Sequence, residues 1–328
     1  MREEEIRPAD LFQEYLSLSI RDVATHFADI SRENVPCPGC GQEKSRPAFE
    51  KLGFGYVECE GCRTLYQSPR PSIESFSRFY SDSVSAKYWA EVFFPAVKEV
   101  RRERIFRPRV EMISRLCRER GVAPRVVVEV GAGHGIFLEE WRRANPESSV
   151  AAVEPNKEMA RVCRENGIEV LEAMAEQAGA WHGKADLLVC FEVIEHVHNA
   201  ADFVSALLKL VKPGGYLAMT GLGVEGFDIQ VLWERSNSVS PPHHLNFLSC
   251  DGFAQLLRNA GFAAVDVSTP GRLDVDIVYN SANADASVLS AHRFERTLLS
   301  RGDQTRAAFQ KFLSEHQLSS HMLALAQR

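Results

Sequence analysis

Between residues 125 and 221, short apolar runs alternate with amphipathic stretches, and this alternation constrains the fold more than any other feature. Short apolar runs are typical of buried strands, and longer stretches with a 3.6-residue period are typical of helices. The predicted strands are RVVVEV, SVAAVE, ADLLVC and YLAMTG, and the helices between them are GIFLEEWRRA, NKEMARVCRENG and ADFVSALLKL. We therefore expect an α/β fold with a mostly parallel sheet, whose functional residues follow the strands.

The sequence pattern also divides the chain into four predicted segments. Residues 1–36 have the pattern of short amphipathic helices, and residues 37–72 contain two pairs of cysteines and end at a proline-rich break. Residues 73–118 are helical in pattern and rich in aromatic side chains, which predicts a helical lid or linker. Residues 119–328 carry the alternating strands and helices and form the predicted main domain.

Composition and charge limit the partners and the compartment. A net charge of -6 and a pI near 6.0 give no general attraction to nucleic acid or to an anionic membrane. The acidic start MREEEIRPAD does not resemble a signal peptide, and no run approaches the roughly 18 apolar residues needed to span a bilayer. We expect a cytoplasmic protein without a membrane span, and the sequence does not predict its oligomeric state.

Two cysteine pairs, CPGC at 37–40 and CEGC at 59–62, have the spacing C-x2-C-x18-C-x2-C. This spacing is typical of a zinc ribbon, in which each pair supplies two thiolates and the runs FGYVE and TLYQS form strands. The predicted ligands are Cys37, Cys40, Cys59 and Cys62. Four protein ligands leave no open coordination position, so the zinc is expected to be structural; unligated or disulfide-bonded cysteines are the alternative.

A glycine-rich loop follows the first predicted strand, with Gly131, Gly133 and Gly135 in the sequence EVGAGHGIF. The dinucleotide pattern G-x-G-x-x-G is not met, because Ile136 stands where the third glycine is needed. The loop therefore disfavours NAD while still allowing close approach of a ligand. Glu154 ends the second strand, where a carboxylate can accept hydrogen bonds from a ribose diol.

These segments, with AMAEQ (173–177), FEVIEHV (191–197) and VKPGGYLAMT (211–220) in the same order, resemble the class I S-adenosylmethionine-dependent methyltransferases. The resemblance implies a Rossmann-like sheet of seven strands, with S-adenosylmethionine as cofactor. It also implies a set of cofactor-binding residues in the glycine loop, at the end of the second strand and after the third and fourth strands: Glu129, Gly131, Ala132, Gly133, Gly135, Glu154, Pro155, Asn156, Ala175, Glu176, Phe191 and Glu192.

FEVIEHV permits a second interpretation. Glu192, Glu195 and His196 are spaced i, i+3 and i+4, so a helical turn would place them on one face. Two carboxylates and an imidazole could bind a divalent ion, and some quinone O-methyltransferases resemble this stretch. The alternative, which we favour, is that they form hydrogen bonds with the cofactor loop and shape the pocket.

The stretch PPHHLNF (241–247) sets two adjacent histidines in a predicted loop after the fifth strand. It resembles the corresponding region of zinc-ribbon methyltransferases that act on small molecules, including deoxysugar C-methyltransferases. Those sugar enzymes have a Glu-His pair that serves substrate binding and proton abstraction, whereas this chain has His243 and His244. The resemblance implies His244 as general base and a role for His243 in acceptor binding, with His196 as a further catalytic candidate. A purely structural role in the loop is the alternative.

The expected function is methyl transfer from S-adenosylmethionine to a small-molecule acceptor, such as a sugar or a polysaccharide or secondary-metabolite precursor. A zinc-ribbon rRNA methyltransferase is one alternative. It is disfavoured because residues 33–72 lack a basic excess and the fourth strand does not end in the N-P-P-Y type motif used on base amines. A second alternative is a non-catalytic protein that binds the cofactor and recruits a partner through its ribbon. The sequence does not distinguish C-, N- and O-methylation.

Overall fold

The computed structural model describes residues 2–28 and 30–328, and in these ranges it contains fourteen α-helices and thirteen strands. The helices are α1 (Glu3–Ile6), α2 (Ala9–His26), α3 (Ile73–Asp82), α4 (Val84–Tyr88), α5 (Phe94–Arg101), α6 (Arg107–Glu119), α7 (Ile136–Ala144), α8 (Lys157–Glu165), α9 (Ala200–Leu210), α10 (Phe227–Leu232), α11 (Cys250–Ala260), α12 (Asp274–Ala284), α13 (Arg293–Leu299) and α14 (Asp303–Glu315). The strands are β1 (Arg32–Glu33), β2 (Ser45–Lys51), β3 (Phe54–Cys59), β4 (Leu65–Gln67), β5 (Arg70–Pro71), β6 (Val126–Val130), β7 (Ser149–Val153), β8 (Glu169–Leu171), β9 (Ala185–Cys190), β10 (Val211–Leu222), β11 (Asn246–Phe247), β12 (Ala263–Ser268) and β13 (His321–Gln327).

The chain forms two compact units that are interleaved along the sequence. The ribbon unit comprises residues 1–98, 222–252 and 268–322, and the sheet unit comprises residues 99–221, 253–267 and 323–328. Each unit is therefore built from three separate stretches of the chain. The four segment boundaries inferred from composition remain predictions.

The sheet unit is built on a seven-stranded sheet in the order β12-β13-β10-β9-β6-β7-β8. β6 pairs in parallel with β7 on one side and with β9 on the other, and the pairs β7–β8 and β9–β10 are also parallel. The strand order therefore reverses between β6 and β9, where open α/β sheets bind their ligands. The prediction of a mostly parallel sheet of seven strands is confirmed.

Local sequence explains why these elements form. The run Val126–Val130 is rich in β-branched residues, which favour strands, and its last four residues are buried. Helices α8 and α9 begin at asparagine caps: Asn156 accepts from the Met159 amide at 3.1 Å and Asn199 from the Asp202 amide at 3.2 Å. The core of this unit packs apolar strand side chains against the buried Trp141 of α7.

The ribbon unit contains a four-stranded antiparallel sheet in the order β11-β4-β3-β2. The strands predicted at FGYVE and TLYQS are confirmed as β3 and β4, and the helix predicted near the N-terminus is confirmed as α2. A buried cluster that includes Phe27, Phe54 and Phe247 joins this sheet to the helices of the same unit. A second cluster joins α10 and α12 to α14. None of the described helices combines the length and the apolar character that a bilayer crossing requires.

Within the ribbon unit, Asp228 of α10 is buried with 0% exposure beside the carboxyl group of Asp274. Burial, together with the nearby Asp274 carboxylate, raises the pKa of Asp228 well above its usual value. Asp274 is itself well supported, because it accepts from the Ser320 amide at 2.6 Å and from the Gln310 amide group at 2.8 Å. Asp228 therefore favours its protonated form more strongly than an ordinary aspartate does.

We predict that Asp228→Asn stabilises the chain at pH 8 and leaves its stability almost unchanged near pH 4. The unfolded chain releases the Asp228 proton above about pH 3.9 while the folded chain keeps it, so the wild-type protein loses stability as pH rises. Asparagine does not titrate and can still donate to Asp274. Thermal unfolding at both pH values should show a gain at pH 8 above the roughly 0.5 kcal/mol typical of surface substitutions. The exposed Asp82 provides the control Asp82→Asn, and an equal effect of both variants would contradict this assignment.

Candidate functional site

The predicted cofactor residues of the sheet unit lie in or directly after strands that meet near the reversal of strand order, with Glu129 inside β6. The glycine loop follows β6, Glu154 follows β7, a short 3-10 turn at Ala175–Gln177 follows β8, and Phe191 and Glu192 follow β9. The carboxyl ends of neighbouring parallel strands lie at one edge of the sheet. The fold therefore brings these residues to a common edge of the sheet.

The glycine loop adopts a backbone that requires glycine. Gly131, Gly133 and Gly135 have φ values of +72°, +55° and +71°, which side-chain-bearing residues rarely adopt. A Cβ on Gly131 would lie 2.7 Å from Val193 Cγ2, and one on Gly135 would lie 2.6 Å from Ile168 Cδ1. Gly133 has no heavy atom within 4 Å of its Cβ position. The loop thus turns tightly into α7 and leaves open space beside its middle glycine.

Glu154 is fixed against this loop. Its Oε2 accepts from the Gly133 amide at 2.8 Å and its Oε1 from the Asn156 amide at 2.9 Å, and the residue is 5% exposed. Burial raises the pKa of Glu154, and the two backbone hydrogen bonds oppose that rise. Each carboxylate oxygen can accept a further hydrogen bond. Glu154 is therefore oriented by the protein and retains acceptor capacity for the two hydroxyls of a ribose.

Glu192 is held in an unusual conformation by Thr220 of β10. Its φ is +54°, its amide donates to Thr220 Oγ1 at 3.2 Å, and its Oε1 accepts from the same hydroxyl at 2.6 Å. Arg109 Nη2 lies 3.4 Å from the same Oε1. A left-handed glutamate is uncommon, and here a neighbouring strand and a buried arginine support it. The carboxylate is thereby fixed at the end of β9.

Buried ionisable side chains lie near the Glu192 carboxylate. Arg109 is 8% exposed and its guanidinium lies 4.5 Å from the centre of the Phe191 ring. Burial lowers the pKa of Arg109, while burial raises those of Glu129 and Glu195 well above their usual values. Oε2 of Glu129 and Oε2 of Glu195 are buried and have no hydrogen-bond partner. A buried polar atom without a partner is costly, so these oxygens are candidate acceptors for donor groups of a ligand.

The structure does not support a metal site at FEVIEHV. Only Ile194–His196 form a 3-10 turn, and Glu192 precedes it with a positive φ, so the three side chains are not arranged as on one α-helical turn. Within residues 2–28 and 30–328, the four ribbon cysteines are the only group of three or more potential ligands whose atoms all lie within 4.8 Å. The contacts of Glu192 with Thr220 and Arg109 agree instead with a role in shaping the pocket.

These features fit S-adenosylmethionine. The adenosine part needs a ribose acceptor and close backbone approach, which Glu154 and Gly133 supply, and Pro155 and Asn156 are exposed beside them. The methionine ammonium needs an acceptor, and Glu129 has a buried carboxyl oxygen without a partner. These acceptor groups therefore suit a molecule that combines a ribose with a cationic group.

The predicted catalytic histidines of PPHHLNF belong to the ribbon unit, whereas His196 belongs to the sheet unit. His243 is 5% exposed, its Nε2 lies 3.2 Å from Ser85 Oγ, and its ring packs 5.1 Å from that of Phe79. His244 is half-buried, and its Nδ1 lies 2.5 Å from the Ser238 carbonyl oxygen. Because a carbonyl can only accept, Nδ1 of His244 carries the hydrogen, and Nε2 carries the lone pair in the neutral ring.

The four predicted metal ligands converge in the ribbon unit. Cys37 Sγ lies 3.5 Å from Cys62 Sγ, and Cys40 Sγ lies 3.5 Å from Cys59 Sγ. Tetrahedral zinc with bonds of about 2.3 Å places its sulfur atoms about 3.8 Å apart, so the cluster matches the size of such a site. None of the eight cysteines is disulfide-bonded. The cluster fits one zinc ion with thiolate ligands alone, and neither loop histidine is needed to complete it.

The two cysteine pairs lie in matching turns. The Cys37 amide donates to the Gln42 carbonyl at 2.9 Å, and the Cys59 amide donates to the Thr64 carbonyl at the same distance. The residue four positions after each first cysteine has a positive φ: Gly41 at +78° and Arg63 at +65°. Arg63 gives no sequence signal of a turn, because a positive φ is typical of glycine and uncommon for arginine.

We predict that purified protein contains close to one zinc per chain and that Cys59→Ser removes it. Metal binding is coupled to folding in small cysteine sites, so this variant should lose thermal stability. The sheet unit should keep its fold, since it has its own core. Elemental analysis and thermal unfolding measure these effects.

Cys250→Ser is the matched control, because Cys250 is a buried thiol of the same unit outside the cluster. It should retain the full zinc content. A metal-free wild-type protein with normal stability would contradict the zinc assignment.

Two functional candidates were missed by the sequence analysis. Arg109 lies on the buried face of α6 together with Ile113 and Cys117, at spacing i, i+4 and i+8. The sequence signal for it was a charged residue within an apolar helix face. Thr220 lies in the run YLAMTG and gave no signal, because its contact with Glu192 joins β10 to the segment after β9.

The methyltransferase-domain family matches residues 99–267, just over half of the chain. The ubiquinone biosynthesis O-methyltransferase of Xanthomonas euvesicatoria pv. vesicatoria (strain 85-10) is 29% identical over 155 residues, which are 43% of this chain and 64% of that protein. The protein of the same name from Thiobacillus denitrificans (strain ATCC 25259 / T1) is 32% identical over 188 residues, which are 53% of this chain and 80% of that protein. The chain thus spans just under two thirds of the first of these relatives.

Among solved structures, the plantazolicin methyltransferase BpumL in complex with SAH has a TM-score of 0.50 at 11% identity. The alignment covers 77% of this chain and 93% of that structure, and at this identity it supports the fold alone. The fold, the order of the strands and the match over residues 99–267 agree with one another. The chain therefore belongs to the class I S-adenosylmethionine-dependent methyltransferase family.

Proposed function

We propose that this chain transfers a methyl group from S-adenosylmethionine to a small-molecule acceptor. The observation that carries the proposal is the fixed carboxylate of Glu154, which receives one backbone hydrogen bond from the glycine loop and one from Asn156 and can still accept others. The residues proposed to hold the cofactor follow four neighbouring strands of one sheet. The family match to residues 99–267 supports the same conclusion.

In this proposal the cofactor supplies an activated methyl group on a sulfonium, so the protein needs to align and activate the acceptor. Glu154 binds the ribose hydroxyls, and the glycine loop lies along the methionine and ribose parts. Ala175 and Glu176 border the adenine. Glu129 accepts from the methionine ammonium through its unpartnered oxygen, and Ala132, Phe191 and Glu192 complete the surroundings of the methionine part.

His244 is the proposed general base. The Ser238 carbonyl fixes the hydrogen on Nδ1, so Nε2 can take a proton from a hydroxyl or an acidic carbon of the acceptor. His243 is proposed to affect acceptor binding more than the chemical step, and its burial means that it would do so by supporting the loop. His196 is a second candidate base, because it belongs to the same unit as the proposed cofactor residues.

The acceptor is proposed to be a small hydroxylated molecule, such as a sugar or a secondary-metabolite precursor. The two relatives compared above are named as ubiquinone biosynthesis O-methyltransferases, which supports a hydroxyl as the nucleophile. The zinc ion is proposed to be structural, since its four sulfur ligands leave no coordination position for a substrate.

Transfer of a radiolabelled methyl group from S-adenosylmethionine into separated cell fractions tests the proposal. We expect label in the small-molecule fraction after incubation with wild-type protein, and much less label after incubation with Glu154→Ala at the same subsaturating concentration of S-adenosylmethionine. Label in the RNA fraction would favour an rRNA methyltransferase. Cofactor binding without transfer to any fraction would favour a non-catalytic binding protein.

A further inference from the structure

The histidine loop is physically part of the zinc ribbon. β11, which begins two residues after His244, pairs antiparallel with β4 of the ribbon, with Asn246 opposite Tyr66 and Phe247 opposite Leu65. The Gln67 amide donates to the Leu245 carbonyl at 2.8 Å. The chain therefore passes from His244 directly into the sheet of the ribbon.

The main chain of His244 is also held from the ribbon. The hydroxyl of Tyr56, in β3, donates to the His244 carbonyl oxygen at 2.8 Å. Tyr56 is 1% exposed, so water does not readily replace this bond. The ring of Phe247 meets the His244 ring edge-on, with 6.1 Å between their centres. These contacts fix both the backbone and one side of the imidazole.

A third connection runs through a metal ligand. The Ser249 amide donates to Thr64 Oγ1 at 3.2 Å, and the Ser249 hydroxyl donates to the Cys62 carbonyl. Thr64 Oγ1 in turn lies 3.3 Å from Cys62 Sγ. A Cβ on Gly252 would lie 2.4 Å from Thr64 Oγ1, so only glycine allows this close approach. The segment after the histidines is thus packed directly against the second cysteine turn.

From these contacts we infer that the zinc ribbon is the positioning element of the histidine loop, rather than an appended module that recruits a partner. Zinc fixes the two cysteine turns, the turns fix β3 and β4, and these strands with Ser249 set the position of His244. Tyr56 and Thr64 are accordingly positioning residues. The expected effect on methyl transfer rests on the proposed function, in which His244 is the general base. The anchoring of the loop by the ribbon does not depend on that catalytic role.

Tyr56→Phe tests the connection without touching a metal ligand. We expect full zinc content, S-adenosylmethionine affinity within twofold of wild type, and faster amide hydrogen exchange at His244, Leu245 and Ser249. Methyl transfer should fall about two- to tenfold, the effect of losing one buried hydrogen bond. Tyr66→Phe is the matched control, because it makes the same change in the neighbouring strand, whereas the hydroxyl bonded to the His244 carbonyl oxygen is that of Tyr56.

Removal of zinc from the full chain by a chelator tests whether the metal site holds the histidine loop in place. We expect loss of exchange protection across residues 243–249 together with loss of methyl transfer, while S-adenosylmethionine still binds. Unchanged protection in both the zinc-depleted protein and Tyr56→Phe would overturn the anchoring. Lost protection with unchanged methyl transfer would support the anchoring and instead contradict the catalytic role of His244.

Discussion

His244→Asn is expected to lower methyl transfer by roughly 100-fold or more, the usual contribution of a general base. Affinity for S-adenosylmethionine should stay close to that of wild type, because the proposed cofactor residues belong to the sheet unit and His244 belongs to the ribbon unit. The wild-type rate should rise with pH, because a general base must be neutral to accept a proton. This rise should be absent in the variant.

The matched control is His316→Asn, which changes an exposed histidine of the same unit. It should leave the rate and its pH dependence unchanged. A normal rate in His244→Asn with the true acceptor would make His244 a structural part of the loop. His196 would then be the next base to test.

Glu154→Ala is expected to weaken S-adenosylmethionine binding by about 1.5 to 3 kcal/mol, the scale of hydrogen bonds to a charged group. This corresponds to roughly a 10- to 150-fold higher dissociation constant, measured by calorimetry. The loss has two sources, because the carboxylate is proposed to bind the ribose and also holds the Gly133 amide. NAD should bind neither protein, since the glycine spacing departs from the dinucleotide pattern.

Glu158→Ala is the control for Glu154, because Glu158 is an exposed glutamate in the following helix. Its affinity for S-adenosylmethionine should match that of wild type. Unchanged affinity in Glu154→Ala would remove Glu154 from the cofactor site.

The sequence predicted the parts of the fold that local patterns determine. The apolar run Val126–Val130 has the pattern of a buried strand, and it was predicted correctly as one. The helix Lys157–Glu165 has its own periodicity and an asparagine cap, and it was also predicted correctly. The four cysteines were placed in one cluster because their spacing is specific to a ribbon. The resemblance to a known family supplied the number of strands in the sheet, which no single segment determines.

What the sequence could not predict are contacts between distant residues. β11 is only two residues long and is a strand because β4, about 180 residues earlier, pairs with it. The positive φ of Glu192 depends on Thr220 of another strand and on Arg109 of a helix. The positive φ of Arg63 follows from the geometry of the cysteine turn and conflicts with its own preference. Tertiary structure overrides local preference at each of these positions.

The most direct test of the central claim is a crystal structure of the chain with S-adenosylhomocysteine. We predict that the ligand lies along residues 131–135, with both ribose hydroxyls within hydrogen-bond distance of the Glu154 carboxylate and the ammonium next to Glu129. Ligand density elsewhere on the chain, or a ribose that does not contact Glu154, would contradict the assignment of the cofactor site.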